Sequence, residues 1–117
     1  MVEDEDMVRD LTQRILERSG YTVLPAANGK EALSLHEKER NKISLVILDV
    51  IMPEMGGREC LKRLHEIDPD LKIVVTSGYY ARELEAEAIA SGARAFIGKP
   101  YDMERMLTAV REVLDSD

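Results

Sequence analysis

The chain has one cysteine, Cys60, no tryptophan, and only 4% aromatic residues. A single cysteine excludes an internal disulfide and any multi-cysteine metal site, and it fits a reducing, cytoplasmic setting. So few aromatics leave no platform on which nucleic-acid bases could stack. Positive charge is also scarce: 16 Lys and Arg stand against 23 Asp and Glu, a net charge of −7. Direct nucleic-acid binding through the phosphate backbone needs a basic face and is excluded on that ground. No apolar run approaches the roughly 20 residues that cross a bilayer, so no membrane insertion is expected. The acidic opening MVEDEDMVRD is neither a secretory leader nor a transit peptide. Neither G-x-G-x-x-G nor a P-loop occurs, which argues against a nucleotide-binding enzyme.

What is present describes one soluble domain. The 117 residues are 44% hydrophobic and 33% charged, enough for a single unit over residues 1–117 with no output domain. Asp6 to Arg18 carries Val8, Leu11, Ile15 and Leu16 at helical spacing, and Gly20 suits a left-handed C-cap. YTVLPA reads as a short strand interrupted by Pro25. Asn28-Gly29 is a turn before a helix over Lys30 to Arg40. ISLVILD and LKIVVTSG are near-continuous apolar runs, as strands covered on both faces require. Further helices are expected over Gly57–Ile67, with Cys60, Leu61 and Leu64 inward, and over Ala81–Ser91, closed by Gly92. A last strand at Ala95–Ile97 precedes a helix over Asp102–Leu114, with Asp102 as N-cap and Met103, Leu107, Val110 and Leu114 on one face. Strict alternation with short connections predicts an α/β fold with a parallel sheet and helices on both sides. Before the acidic cluster there is only Met1-Val2, so the first strand is expected to be truncated.

In open parallel sheets, sites form beyond the carboxyl ends of the strands. The sequence places Glu3, Asp4, Glu5 and Asp6 after the first stub and Asp49 after LVIL. Thr76 and Ser77 follow IVV, and Gly98, Lys99 and Pro100 follow AFI. Clustered carboxylates repel one another unless a cation intervenes. Hard oxygen ligands without His or Cys suit Mg²⁺. An aspartate can act as a nucleophile and form an acyl phosphate, whose oxygens a lysine and a hydroxyl would bind.

The motifs EDE, LDVIMPEMGG, VVTSG and GARAFIGKP occur in that order over nearly the whole chain. Together they resemble the receiver domain of two-component response regulators. The resemblance implies a flavodoxin-like, doubly wound sheet of strand order 2-1-3-4-5. It implies that Asp49 accepts a phosphoryl group from the histidine of a histidine kinase or phosphotransfer protein, with Mg²⁺ as cofactor. Asp4 would ligate the metal directly, Glu3 through water, and Ile51 through its backbone carbonyl. Lys99 would bind the phosphoryl group, Ser77 would be the switch hydroxyl, Phe96 the switch aromatic, and the bond to Pro100 would be cis. Phosphorylation would remodel the face of the fourth helix, last strand and last helix, a face that also allows a homodimer. Such a domain is a signalling module and not an enzyme in its own right. TSGY, with Tyr79, resembles receivers of hybrid sensor kinases, and bulky Ile51 and Tyr79 are expected to restrict water at the site.

Plainer roles stand beside these. Asp6 complements the helix dipole, Phe96 is core as readily as switch, and Ser77 can cap a turn. His36 and His65 read as solvated surface, and Cys60 as a small inward hydrophobe. Met52 and Met55 read as loop packing. The alternative function is an unphosphorylated pseudo-receiver serving as a protein-binding module. A haloacid-dehalogenase-like phosphatase would need a second Asp where Ile51 stands.

Overall fold

The computed structural model describes residues 1–3, 5–49, 57–77, 82–98 and 103–116. Helices and parallel strands alternate. α1 (Asp6–Arg18) and α2 (Gly29–Glu39) precede β1 (Val46–Asp49), and α3 (Gly57–Ile67) leads to β2 (Ile73–Ser77). α4 (Arg82–Ala90), β3 (Ala95–Gly98) and α5 (Met103–Asp115) complete the order. The three strands lie in the order β1-β2-β3, all parallel, with Val46 opposite Ile73 and Val74 opposite Ala95. Every residue of β1 and β2 is buried, which explains why both read as unbroken apolar runs.

The first strand is reduced to one rung. Val2 bridges Leu48 of β1 on one side and Ala26 on the other, both in parallel. Its N–H donates to the Ile47 carbonyl at 2.7 Å, and its carbonyl accepts from Asp49 N–H at 3.1 Å. YTVLPA, expected as a strand, forms none; within it only Ala26 pairs. The reason lies in its neighbour. Backbone groups need a partner along the ladder, and the stub offers Ala26 only the Met1 carbonyl (2.8 Å) and the Glu3 N–H (3.0 Å).

Two apolar clusters cover the sheet. One gathers Val2, Leu48, Leu61, Leu64, Ile73 and Phe96; the other gathers Leu16, Ile47, Val74, Ile97, Met106 and Val110. Each such side chain contributes about 1.5–3 kcal/mol of burial. α1 is rotated from the expected face: Thr12 and Leu16 are buried, whereas Leu11 is 57% exposed. In α5 the buried line is Met106, Val110 and Val113, with Leu107 and Leu114 at its margin. α2 begins at Gly29 because the Asn28 side chain accepts the Glu31 N–H at 3.0 Å, and it passes into a 3₁₀ turn at Arg40–Lys42.

α1 and α4 end alike. Gly20 N–H and Gly92 N–H bond to the Glu17 and Ile89 carbonyls, and Tyr21 and Ala93 reach back to Leu16 and Ala88. Both glycines have positive φ, 98° and 115°, the Schellman stop that glycine makes cheaply.

Neither histidine is plain surface. His36 is 2% exposed and its Nε2 lies 3.3 Å from Asp68 Oδ2, tying α2 to the end of α3. Half-buried His65 has a buried Nδ1 without a hydrogen-bond partner among the described residues. A polar side chain placed mid-helix between charged residues does not reveal which face the helix turns inward.

Cys60 packs inward, as expected, and is fully buried. Burial, reinforced by the charge of Glu59, pushes its thiol up to about 11. Since the thiolate is the reactive form, iodoacetamide at pH 8 should alkylate the folded chain about a hundredfold more slowly than the urea-unfolded chain. Mass spectrometry of timed samples checks this.

The N-terminal ammonium of Met1 donates to the Leu24 carbonyl at 3.0 Å. Its burial lowers its pKa from 8.0 to about 6. Between those values the unfolded chain binds more protons, so stability rises with pH from about 6 to 8, by about 2–3 kcal/mol. Urea titrations across that window should show this slope, and the Nα-acetylated chain should lack it.

Candidate functional site

The parallel register carries the ends of the strands to one rim. Asp49 closes β1, opposite Thr76; Ser77 closes β2, opposite Gly98, the last residue of β3. Glu3 follows the Val2 rung, and Asp49 N–H bonds to the Val2 carbonyl. Glu3 and Asp49 therefore extend from adjacent parallel segments one step beyond the same bridge. Both are 4% exposed, and Thr76 and Ser77 are buried beside them. A carboxylate held out of water needs a polar partner, and two of them stand side by side at this edge.

The acidic segment is anchored in spite of the short first strand. Glu3 N–H donates to the Ala26 carbonyl at 3.0 Å. Glu3 Oε2 accepts the Glu5 N–H at 3.2 Å, and Arg9 Nη1 donates to the Glu3 carbonyl at 2.8 Å. The second Arg9 nitrogen pairs with Asp6. One guanidinium thus clasps the turn between the rung and α1 from inside the first two turns of that helix. Arg9 was not singled out from the sequence; its spacing of three from Asp6 was the available signal.

Of the residues expected at the site, Glu3, Asp49, Ser77 and Phe96 are described. The first three stand at the ends of the first rung, β1 and β2, on the same rim. Phe96 is one strand pair below it, opposite Val75, and is buried in the cluster with Ala88 and Ala93. Asp4, Ile51, Lys99 and Pro100 lie outside the described residues, as do Met52, Met55, Tyr79 and Asp102. Among the described residues no group of three or more His, Cys, Asp or Glu gathers around a common point. The described part of the rim supplies two carboxylates and no His or Cys, a donor set suited to a hard divalent cation such as Mg²⁺. Among the described residues no helix is long and apolar enough to cross a membrane.

The family described as the response regulator receiver domain matches residues 1–111. The sensor kinase CckA of Brucella abortus is 40% identical over 119 residues, which cover 98% of this chain but 12% of that protein. The chemotaxis protein CheY of Thermotoga maritima is 35% identical over 114 residues, 97% of this chain and 93% of its own length. Among solved structures, a chain of the CheX–CheY–BeF₃–Mg²⁺ complex from Borrelia burgdorferi superposes with a TM-score of 0.90 at 32% identity. That match covers 98% of this chain and 87% of that one.

Proposed function

Because the chain belongs to the response regulator receiver family, we propose that it accepts a phosphoryl group on Asp49 from the histidine of a kinase or phosphotransfer partner. One observation carries the reading: Asp49 is buried at the end of β1, on the rim it shares with Glu3 and Ser77. An Asp49 carboxylate oxygen attacks phosphorus, the N–P bond of the donor breaks, and the imidazole nitrogen leaves with its electron pair and takes up a proton. The product is an aspartyl phosphate.

The chain's own residues position and stabilise. The Val2 carbonyl holds the Asp49 backbone through the 3.1 Å bond, which fixes where the carboxylate stands. The Ser77 hydroxyl can donate to a phosphoryl oxygen, and Lys99 would neutralise another. Mg²⁺ would be held by Asp49 and Asp4, by Glu3 through water and by the Ile51 carbonyl. When bound, it offsets the charge that builds on the phosphoryl oxygens. Glu3 and Asp49 are the described members of that set, and their oxygen-only chemistry fits the ion.

A pull on Ser77 acts on β2 at its last rung, and β3 pairs with that strand from Val74 to Ser77. Phe96 and the face of α4, β3 and α5 are the switch elements of this reading, with a homodimer as one use of the face. α4 suits the part: of its side chains from Glu85 to Ala90 only Ala88 is buried, and Ile89 is 47% exposed. Identity to part of a sensor kinase supports a place downstream of a histidine kinase, either as a separate receiver or within a larger protein.

Acetyl phosphate with Mg²⁺ should add the mass of one phosphoryl group to the intact protein, and chelation by EDTA should prevent it. A chain that takes up no phosphoryl group in the presence of Mg²⁺ does not have this function.

A further inference from the structure

Arg9 sits where a cation is locally unwelcome. It lies near the start of α1, the helix end whose unpaired N–H groups favour anions. Its side chain does not run along the helix. It reaches back to the segment before it, where Nη1 donates to the Glu3 carbonyl at 2.8 Å and Nη2 pairs with Asp6. The Asp6 side chain is 85% exposed, whereas that of Arg9 is 19% exposed. An exposed carboxylate adds little by itself, so the Glu3 carbonyl is the contact that accounts for burying this guanidinium.

Three polar groups of Glu3 have partners here. Its N–H donates to Ala26, its Oε2 accepts from the Glu5 N–H, and its carbonyl accepts from Arg9. The first two partners are backbone groups. The third is a side chain, so it is the one of the three that a substitution removes. The peptide group it grips joins Glu3 to Asp4, the two residues that the proposed function assigns to the cation beside Asp49.

We infer that Arg9 is a positioning residue for that cation: by gripping the Glu3 carbonyl it holds the acidic segment ready, and so sets the affinity of the rim for Mg²⁺. The inference rests on the reading of Glu3 and Asp49 as members of the Mg²⁺ set. Geometry and charge then predict opposite signs. As a bare charge, Arg9 repels a dication, and its removal would tighten binding. As a clasp, it spares the segment the ordering that binding requires, and its removal weakens binding. Asp6 offsets the charge, and the two nitrogens of the guanidinium fork serve the two partners separately. The point charge of a lysine has no such fork.

Amide NMR of the chain titrated with MgCl₂ at constant ionic strength, followed at Asp49 and Ser77, gives the affinity. Arg9→Met, which keeps an unbranched stem and good helix propensity, should bind Mg²⁺ about tenfold more weakly, the scale on which groups that orient metal ligands act. Arg9→Lys should bind as weakly, although it keeps the charge. Without metal, the Glu3 and Glu5 amides should exchange faster in both variants, while the Gly20 amide at the far end of α1 keeps its protection. Unchanged or tighter Mg²⁺ binding by Arg9→Met overturns the inference. Parental affinity in Arg9→Lys does so too, because the fork is then not needed. Loss of protection at Gly20 together with Glu3 and Glu5 also overturns it, by showing a general loosening of α1. A parental chain that takes up no Mg²⁺ brings down the reading of the rim itself, and the inference with it, before any variant is compared.

Discussion

Asp49→Asn should take up no phosphoryl group from acetyl phosphate and Mg²⁺, while Glu3→Gln retains part of the rate. The amide keeps the shape of the carboxylate but is a far weaker nucleophile, and it removes the charge that a cation would bridge. The backbone of residue 49 stays in place, because its bonds run from its own N–H to Val2 and along the β1–β2 pairing. The variant should therefore fold, with an unaltered far-ultraviolet circular dichroism spectrum, and fail only in acceptance. Intact mass over a time course reads the loss, which should exceed a hundredfold, as removal of a nucleophile does. Acceptance by Asp49→Asn at the parental rate would move the nucleophile elsewhere. Glu3→Gln should slow acceptance by about tenfold: it loses one charge, and the family pattern gives Glu3 an indirect part.

The two Schellman glycines should differ sharply when replaced. A Cβ on Gly20 meets nothing within 4 Å, so Gly20→Ala costs only the strain of positive φ, about 1 kcal/mol. A Cβ on Gly92 would lie 2.5 Å from His65 Nδ1 and 2.6 Å from Cγ of that ring. Gly92→Ala adds overpacking to strain and should cost about 2–4 kcal/mol. Urea unfolding of both variants gives the comparison. His65→Ala in the Gly92→Ala background should recover the steric part and leave the cost of the positive φ, a coupling that a double-mutant cycle isolates. Equal destabilisation at the two glycines would show that the His65 ring yields without cost.

The alternation of helices and strands was legible because strand and helix periods are local. IVV and LVIL could only be strands covered twice, and Gly20 and Gly92 stopped helices where expected. Family motifs carried Asp49, Glu3 and Ser77 to one rim. What failed was decided between elements. YTVLPA has strand composition, yet its pairing depends on a neighbour that is a single residue wide. His36 looked solvated because its sequence neighbours are charged; its partner Asp68 is 32 residues away. Thr12 lies inward and Leu11 outward, because the docking of α1 overrode hydrophobicity at adjacent positions. The Arg9 clasp escaped for a related reason: its main target is a backbone carbonyl, which has no letter in a sequence.

Val2 serves two masters. Its carbonyl holds Asp49 on the acidic rim, and its N–H holds the Ile47 carbonyl two residues earlier on β1. Any displacement of that one rung strains both bonds together. The position of Asp49 at the rim thus hangs on a single peptide unit, as a door hangs on one hinge.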